Sequence, residues 1–226
     1  MIVNCAAYTQ VDKAESDQVA AQFTNAVAPA ILASLCERFI HFSTDYVFNG
    51  YGFRPYNEAS ETNPSSVYGA SKLAGESAVM TSNPSSVIIR TSWVYSDIGN
   101  NFVKTMLRLG KERKELRVVS DQIGTPTYAY DLAKLVVENG IDGWKFKSGI
   151  YHYSNEGVAS WYDFAYEIMK IAKLSCKIIP IKSEEYPTSA KRPHYSVLDK
   201  TKIKNDLGIE IPHWKESLKL CLQKLS

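Results

Sequence analysis

Tyr68 and Lys72 are the two residues whose types and spacing point most directly to chemistry. They lie four positions apart in the segment Tyr68-Gly69-Ala70-Ser71-Lys72, and residues i and i+4 of a helix share one face. A free phenol has a pKa of about 10, which is too high for efficient proton transfer at neutral pH. Because a nearby ammonium lowers that pKa, the pair predicts a tuned proton donor. An ordinary solvated helix face carries the same pattern, so the surrounding residues must decide.

Three predicted strands end in residues that could complete such a site. Ser43-Thr44-Asp45 closes one strand and offers hydroxyl groups that can hydrogen-bond a carbonyl oxygen. Asn4-Cys5-Ala6-Ala7 closes an earlier strand with small residues, which let backbone approach a flat molecule closely. Arg90-Thr91-Ser92-Trp93 closes a third. Since ligands of open α/β sheets bind beyond the carboxyl ends of the strands, these segments are expected to form one site with Tyr68 and Lys72.

The elements that must position these residues alternate between strand and helix patterns. Strands are predicted at Ile2–Ala7, Phe39–Phe48, Ser86–Tyr95, Leu116–Val119, Gly149–Ser154 and Lys177–Ile181. Helices are predicted at Ala14–Glu37 with a break near Pro29, Val67–Met80, Asn101–Lys114, Ala129–Asn139, Ser160–Leu174, and from about His213 onward. This alternation predicts an α/β fold with a mostly parallel sheet and helices on both faces.

Composition excludes several classes of protein. The chain has 226 residues, of which 45% are hydrophobic and 22% charged, as in ordinary globular proteins and unlike disordered ones. A formal net charge of +2 gives no reason to expect nucleic acid or an acidic membrane as partner. No apolar run reaches the roughly 18 residues of a membrane span, and no signal peptide is expected. The scattered cysteines and histidines predict reduced thiols, no metal site and a cytoplasmic location.

Longer motifs carry a family resemblance. The chain resembles the extended short-chain dehydrogenases/reductases and, among them, the dTDP-4-dehydrorhamnose reductase family. The matching stretches are Asn4–Thr9, Val11–Glu15, Ser43–Phe48, Val67–Gly69, Ser71–Glu76, Arg90–Tyr95, Gly99–Val103, Asp121–Thr127, Ser160–Ala165, Arg192–Pro193 and Ser196–Asp199. They cover nearly the whole chain in the family's order. The Tyr-Lys pair is common to the superfamily, whereas Val11–Glu15, Asn100–Phe102 and Asp121–Gly124 are more specific to this reductase family.

The resemblance implies a reaction and a set of site residues. It implies that NADPH or NADH reduces the 4-keto group of dTDP-4-dehydro-L-rhamnose in dTDP-rhamnose biosynthesis. The implied catalytic residues are Thr44, Tyr68 and Lys72. The implied cofactor-binding residues are Cys5, Ala6, Ala7, Tyr8, Ser43, Tyr68 and Lys72. The implied substrate-binding residues are Val11, Thr44, Asp45, Tyr46, Trp93, Asn101, Gln122 and Arg192.

Some of the substrate-binding assignments compete with plain structural roles. Trp93 could serve only in packing, and Asn101 could simply cap the helix that follows it. Gln122 could be a turn residue. Arg192 could belong to a solvated basic run with Lys191, although a guanidinium suits a diphosphate well because it can bind phosphate in bidentate fashion.

The resemblance also implies the fold and its division. We expect a doubly wound, mostly parallel Rossmann-type sheet that lacks its N-terminal strands, with a small C-terminal substrate-binding subdomain. Residues 1–142 would form the C-terminal part of the dinucleotide-binding domain. Residues 143–226 would form most of the nucleotide-sugar subdomain, interleaved with the core around residues 92–128.

The sequence departs from the family in one respect. It contains no Gly-x-Gly-x-x-Gly or related run, the turn that places a helix N-terminus at the pyrophosphate. We therefore expect a truncated form that binds dinucleotide weakly and has little activity alone, and the choice between NAD and NADP stays open. The strand at Ile2–Ala7 would lack a neighbour, and an open edge favours association, so a homodimer is expected. Some family members carry Mg²⁺ at a dimer interface, but no carboxylate cluster here can be assigned to it.

Two other functions compete with the reductase. One is a non-catalytic regulatory subunit on the same fold, like that of methionine adenosyltransferase, but such a subunit has no need of Thr44, Tyr68 and Lys72 together. The other is a different extended-family nucleotide-sugar enzyme, such as an epimerase or dehydratase. A dehydratase would place an acidic residue directly after the Thr-Asp pair, where this chain has Tyr46. The reductase is therefore favoured.

Overall fold

The computed structural model describes residues 1–225, which fold into two compact units. Unit 1 comprises Met1–Thr91, Trp144–Tyr153 and Thr188–Ile209. Unit 2 comprises Ser92–Gly143, Ser154–Pro187 and the chain from Glu210 onward. Each unit is therefore assembled from three separate stretches of the chain.

Strands and helices alternate as expected. The strands are β1 (Ile2–Asn4), β2 (Phe39–Thr44), β3 (Val87–Thr91), β4 (Val94–Tyr95), β5 (Glu115–Val119), β6 (Ile123–Gly124), β7 (Thr127–Tyr128), β8 (Gly149–His152), β9 (Ala159–Ser160) and β10 (Lys177–Ile181). The helices are α1 (Val11–Ala14), α2 (Gln18–Gln22), α3 (Ala28–Ser34), α4 (Val67–Ser82), α5 (Phe102–Glu112), α6 (Ala129–Val136), α7 (Trp161–Ile171), α8 (Thr201–Leu207) and α9 (Trp214–Leu225). Helices α3 and α6 adjoin π-helical turns at Phe23–Val27 and Val137–Ile141.

The sheet of unit 1 is fully parallel, with strand order β1-β2-β3-β8. Its central strands are buried on both faces, which is why they read as continuous apolar runs. In the register of the sheet, Asn4 is paired with His41 and Thr44 with Thr91. The carboxyl ends of β1, β2 and β3 thus lie side by side, and the expected mostly parallel α/β fold is confirmed.

Four predicted strands end earlier in the structure. The strand predicted at Gly149–Ser154 ends at His152, and the other three end for local reasons. β1 stops at Asn4, whose side-chain Oδ1 accepts a hydrogen bond from the backbone N–H of Ala6 at 3.1 Å. β2 stops at Thr44, whose hydroxyl accepts from the backbone N–H of Tyr46 at 3.2 Å and starts a 3₁₀ turn. Trp93, in the left-handed region at φ +46°, separates β3 from β4.

The segment predicted as one helix with a break at Pro29 is divided earlier. α2 ends at Gln22, the π-helical turn follows, and Pro29 lies in the first turn of α3. Proline has no N–H to donate to the carbonyl four residues before it, which here is that of Asn25. Proline fits the first helical turn, where that N–H would have no helical partner anyway, so the chain restarts its helix there.

Helix α4 is held at its N-terminus by two side chains. Ser66 accepts a hydrogen bond from the N–H of Gly69 at 3.2 Å, and Glu15 accepts from the N–H of Val67 at 2.9 Å. A carboxylate at this end is also favoured by the helix dipole. A Cβ at Gly75 would lie 2.0 Å from the carbonyl oxygen of Asn25. The caps and this close approach fix the helix that carries Tyr68 and Lys72.

Unit 2 has a core rich in aromatic residues. Tyr95, Tyr128, Phe164 and Trp214 are all buried within it. β5 pairs with β10 in parallel, and short pairs join β4 to β7 and β6 to β9. Ser160 forms the N-cap of α7, as predicted, in a capping box with Asp163. Among residues 1–225, no helix is long and apolar enough to cross a membrane.

Candidate active site

Tyr68 lies in the first turn of α4, beside the end of β2. Its phenol lies beside the Thr44 hydroxyl, and its ring meets that of Tyr46 edge-on, with ring centroids 5.5 Å apart. Burial raises the pKa of Tyr68 to about 12, the nearby Thr44 hydroxyl acts in the opposite direction, and the charge of Asp45 adds to the rise. Tyr68 therefore stays protonated at neutral pH and can act as a proton donor.

Lys72 points toward the sheet and is 2% exposed. Its Nζ donates to the carbonyl of Phe42 at 2.6 Å and lies 3.3 Å from Nε2 of His41. Burial lowers the pKa of Lys72 to about 8, and Glu76 opposes that change. Lys72 is not among the groups that shift the Tyr68 pKa, so the expected lowering by Lys72 is not found, and the Lys72 ammonium is held instead by the Phe42 carbonyl of β2.

Thr44 and Asp45 are adjacent polar residues at the end of β2, beside Tyr68. The Thr44 hydroxyl donates to Asp45 Oδ1 at 3.1 Å. Asp45 is 2% exposed, and burial raises its pKa to about 6, although the hydroxyls of Ser196 and Thr44 lower it. Its second oxygen, Oδ2, has no hydrogen-bond partner among residues 1–225. This oxygen is therefore a buried acceptor that no described side chain satisfies.

The segment Cys5–Tyr8 follows β1 and offers small side chains at the carboxyl edge of the sheet. Cys5 and Ala6 are exposed, and Ala7 and Tyr8 are half-buried. Asn25 fixes this backbone by accepting from the N–H of Tyr8 at 2.8 Å and donating to its carbonyl at 3.1 Å. The position of Asn25 in the site was not predicted from the sequence. An asparagine within an apolar helical run, four residues before a proline, was the available signal.

Ser43, predicted to lie near the cofactor, is instead 4% exposed and turned inward. Its hydroxyl donates to Glu76 Oε1 at 2.5 Å. Glu76 also forms a buried two-point ion pair with Arg90, at 2.9 and 2.7 Å. A buried charge needs such partners, so this network, which also was not foreseen, ties α4 to β2 and β3.

Arg192 and Asp12 form a two-point ion pair at the surface of unit 1. Arg192 Nη1 and Nη2 lie 3.1 and 2.7 Å from the two carboxylate oxygens of Asp12. Arg192 lowers the pKa of Asp12, and the N–H of Ala190 donates to the same carboxylate. Val11 is half-buried on the same short helix, α1. The guanidinium predicted to bind a diphosphate is thus held in a defined direction by an acidic residue.

Trp93, Asn101 and Gln122 belong to unit 2. Trp93 is stacked on Trp161, with ring centroids 3.7 Å apart and an interplanar angle of 9°. Asn101 caps α5 by accepting from the N–H of Lys104 at 3.2 Å, and it donates to the carbonyl of Ser96. Gln122 is buried and donates to Ser183 at 2.9 Å. Each predicted residue here therefore has a structural role of its own.

Unit 1 thus holds Thr44, Asp45, Tyr46 and Tyr68 as one contacting group, with Lys72 one turn along the same helix. Among residues 1–225, no cluster of three or more histidine, cysteine, aspartate or glutamate side chains is placed to hold a metal ion.

The chain is similar to curated proteins over its whole length. The chain is 44% identical over 230 residues to the spore coat polysaccharide biosynthesis protein SpsK of Bacillus subtilis, covering 100% of this chain and 80% of that protein. It is 41% identical over 241 residues to dTDP-4-dehydrorhamnose reductase of Escherichia coli, covering 100% of this chain and 79% of that one.

A solved structure and a family model complete the comparison. The dTDP-4-dehydrorhamnose reductase of Bacillus anthracis, solved in complex with NADP, superposes with a TM-score of 0.94 at 39% identity, covering 99% of this chain and 80% of that one. Residues 1–226 match the family model for the RmlD substrate binding domain over their full length. The chain therefore belongs to the RmlD substrate binding domain family.

Proposed function

We propose that this protein is a dTDP-4-dehydrorhamnose reductase, which reduces the 4-keto group of dTDP-4-dehydro-L-rhamnose to give dTDP-L-rhamnose with NADPH as the hydride donor. The observation that carries the proposal is the placement of the Tyr68 phenol beside the Thr44 hydroxyl at the end of β2, close enough for that hydroxyl to lower the pKa of the phenol. It occurs in a chain that is 41% identical to the Escherichia coli reductase of that name. Similarity to the reductase of Bacillus anthracis that binds NADP favours NADPH over NADH.

Tyr68 is the proposed proton donor. When a hydride adds to the carbonyl carbon, the carbonyl oxygen becomes an alkoxide, and the phenol hydroxyl of Tyr68 gives it a proton. An alkoxide is a stronger base than a phenolate, so a phenol with a pKa of about 12 can still protonate it. Thr44 donates a hydrogen bond to the same oxygen, which stabilises the charge as it develops. Solvent then restores the proton of Tyr68.

The residues after β1 fit a flat cofactor. Cys5 and Ala6 are exposed at the sheet edge, and Asn25 holds the following backbone rigid. We assign Cys5–Tyr8 and Lys72 to the binding of NADPH. Ser43 is assigned a supporting role through its hydrogen bond to Glu76, which lies one turn beyond Lys72 on α4. When bound, NADPH supplies the hydride.

Each unit carries residues that we assign to the nucleotide sugar. Val11, Asp45 and Tyr46 of unit 1 are proposed to contact the sugar, and Trp93 of unit 2 is proposed for the same role. Asn101, Gln122 and Arg192 are proposed for the nucleotide end. Under this proposal residues 1–142 supply most of the cofactor side, and residues 143–226, interleaved around 92–128, supply most of the sugar-nucleotide side.

We further propose a cytoplasmic homodimer. The described cysteines are all free thiols, which suits a reducing compartment. Unit 1 exposes a row of large apolar side chains four residues apart, the apolar row: Val19, Phe23, Val27, Ile31 and Leu35. Beside it lies a groove of about 560 Å³ lined by apolar residues such as Val67 and Ala70. A two-fold contact would place this surface against itself, as homodimers require, and would cover it from water.

NADPH oxidation tests the reductase. The protein, as its gene encodes it, is incubated with dTDP-4-dehydro-L-rhamnose while nicotinamide absorbance is followed, and binding of the product nucleotide sugar is measured by calorimetry. We expect oxidation that falls about 10²- to 10⁴-fold in Tyr68→Phe and is unchanged in Tyr166→Phe, an exposed tyrosine. Sugar binding without oxidation would overturn the reductase in favour of a regulatory subunit. Conversion of the sugar without NADPH consumption would instead indicate an epimerase or dehydratase.

A further inference from the structure

Lys72 faces a buried histidine whose own hydrogen bonds determine which of its ring nitrogens carries the proton. His41, in the middle of β2, is 0% exposed, and Asn4 is 5% exposed. The two residues are direct neighbours in the register of β1 and β2. Asn4 Nδ2 lies 3.1 Å from His41 Nδ1, and His41 Nε2 lies 3.3 Å from Lys72 Nζ. Asn4, His41 and Lys72 thus form one chain of polar contacts inside unit 1.

The direction of this chain follows from the backbone. The N–H of Ala6 can only donate, so the Asn4 atom that faces it at 3.1 Å is the oxygen, Oδ1. The amide nitrogen of Asn4 then faces His41 and donates to Nδ1. A reversed amide would set its N–H groups against the N–H of Ala6. A neutral imidazole has one donor and one acceptor nitrogen, so the proton of His41 lies on Nε2, toward Lys72.

A donor facing Lys72 favours one form of its amine. An ammonium has three N–H groups and no lone pair, so it can donate to the carbonyl of Phe42 but can accept nothing from His41 Nε2–H. The uncharged amine has a lone pair that accepts this hydrogen bond and still donates to Phe42. The contact therefore becomes a hydrogen bond only after Lys72 has lost a proton.

We propose that Asn4 and His41 are positioning residues for Lys72, which present it with a hydrogen-bond donor and so make its ammonium give up a proton more readily than an ordinary lysine. A role for Asn4 and His41 in catalysis rests on the proposed function, whereas the predicted tautomer of His41 does not depend on it. The proton leaves Lys72 Nζ for solvent, and the His41 Nε2–H then donates to the lone pair that remains.

Other groups around Lys72 act on it as well. Glu76 lies one turn along α4 and opposes the loss of the proton, but it is already paired with Arg90 and Ser43. Tyr68 lies one turn before Lys72 and Asp45 follows the end of β2. Burial lowers the pKa of both Lys72 and His41, to about 8 and about 3, so the histidine stays neutral and can keep its tautomer across the working range of pH.

The tautomer of His41 can be read directly in the unaltered protein. Long-range proton–nitrogen NMR spectra distinguish a protonated ring nitrogen from an unprotonated one. We expect His41 to carry its proton on Nε2 alone from pH 6 to pH 9. A proton on Nδ1, or on both nitrogens, would overturn the proposal without any variant.

Asn4→Asp is the variant that should reverse the tautomer of His41, because it changes an amide into a carboxylate of the same shape. A carboxylate can only accept, so His41 should move its proton to Nδ1 and present a lone pair to Lys72. We expect the titration midpoint of Lys72, followed by NMR of labelled lysine side chains, to rise by at least one pH unit. The added charge alone could also raise it, so Asn4→Asp is repeated in the background of His41→Phe. An equal rise there would overturn the role of His41.

These readouts separate the proposal from the function on which it rests. Both titrations are made without substrate, so they report on His41 and Lys72 whether or not the protein oxidises NADPH. Expected titrations with no turnover would refute the reductase alone. Turnover with His41 protonated at Nδ1 would refute the positioning role alone. Thermal unfolding of each variant verifies that it is folded before its titration is interpreted.

Discussion

Tyr68 and Thr44 lie side by side in a site where several polar side chains already bind one another. Burial is the largest influence on the pKa values of the titratable residues in this site. It raises the pKa of Tyr68 and of Asp45 and lowers that of Lys72. At this scale the site keeps a protonated phenol at Tyr68 and a carboxyl of raised pKa at Asp45 beside the end of β2, with a neutral His41 in the middle of that strand. Each of these states has a measurable consequence.

Thr44→Val should leave the fold intact but weaken catalysis. Valine keeps the shape of threonine and removes only the hydroxyl that lies beside Tyr68 and would bind the substrate oxygen. Removal of a comparable donor to a developing oxyanion costs about 10²- to 10³-fold in kcat, and we expect a loss in that range with KM changed less. Steady-state NADPH oxidation measures both. Thr81→Val, on an exposed turn of α4, should have no effect, and a KM-only change in Thr44→Val would contradict the assigned role.

Asp45→Asn should change how stability depends on pH. In the folded protein the Asp45 carboxyl keeps its proton up to a pKa of about 6, against an ordinary value of 3.8. Because the folded protein binds this proton more tightly than the unfolded chain does, the protonated carboxyl of Asp45 contributes its full share to the free energy of unfolding below about pH 4. That contribution is lost as the pH rises to about 6. About two pKa units correspond to about 3 kcal/mol. Urea unfolding from pH 4 to 7 should therefore show Asp45→Asn gaining about that much relative to the unaltered chain.

The exposed Asp142 provides the control for this experiment. Asp142→Asn should follow the pH dependence of the unaltered chain throughout. If Asp45→Asn did the same, the carboxyl of Asp45 would have to ionise normally in the folded state.

The chemistry-bearing residues could be predicted from the sequence better than their partners. Tyr68 and Lys72 are four residues apart on one helix, so their common position on α4 follows from helical geometry. The pairing of Asp12 with Arg192 joins residues 180 positions apart, and no local pattern encodes it. The contact of Lys72 with His41 and Phe42 depends on how α4 lies against β2, which is a property of packing.

At the scale of the elements, α4 is the one that determines the site. Its N-terminus is held by Ser66 and Glu15, and its middle approaches the π-helical turn at Phe23–Val27 so closely that only glycine fits at position 75. The α4 helix was predicted to within two residues because its caps and spacing are local. The π-helical turn was not predicted, because it results from Pro29 and from the approach of α4 together.

Gly75→Ala should destabilise the protein although alanine is the better helix former. Alanine in place of glycine gains about 1 kcal/mol in an exposed helix. Here its Cβ would lie 2.0 Å from the carbonyl oxygen of Asn25, which belongs to backbone and cannot rotate away. We expect a net loss of about 1–3 kcal/mol, measured by urea unfolding, and weaker NADPH oxidation because α4 is displaced.

Gly143→Ala is the matched control, since nothing lies within 4 Å of a Cβ built there. It should be neutral or slightly stabilising. Equal effects of the two substitutions would show that α4 and the π-helical turn are not tightly packed.

At the scale of the whole molecule, the chain builds two compact units from three stretches each. Unit 1 has apolar clusters around Phe39, Val79 and Ile88 and around Val47, Phe48 and Leu198, whereas unit 2 has an aromatic core. The parallel sheet was predictable because strand and helix patterns alternate. The exact stretches of chain that make up each unit could not be predicted from the sequence, because they are defined by contacts between distant segments. The apolar row on unit 1 is the feature at this scale that calls for a partner.

Phe23→Glu should abolish self-association. Phe23 belongs to the apolar row and is 59% exposed, so in Phe23→Glu a two-fold contact through the row would bury two opposed carboxylates. We expect sedimentation to show a dimer for the unaltered chain and a monomer for Phe23→Glu. Phe53→Glu, at a residue 84% exposed in a loop outside the row, should remain dimeric. A dimer that survives Phe23→Glu would place the interface elsewhere, with the edge strand β1 as the next surface to test.

The stacked indoles of Trp93 and Trp161 also give unit 2 an optical signature. Two parallel indole rings with centroids 3.7 Å apart are close enough for their electronic transitions to couple, which splits a circular-dichroism band into a pair of opposite sign. Trp93 is held in this stack from a backbone at φ +46°, so any ligand that draws it away would relax the backbone and weaken the coupling. The proposed sugar contact thus carries a built-in reporter, which a titration with nucleotide sugar can follow without label or cofactor.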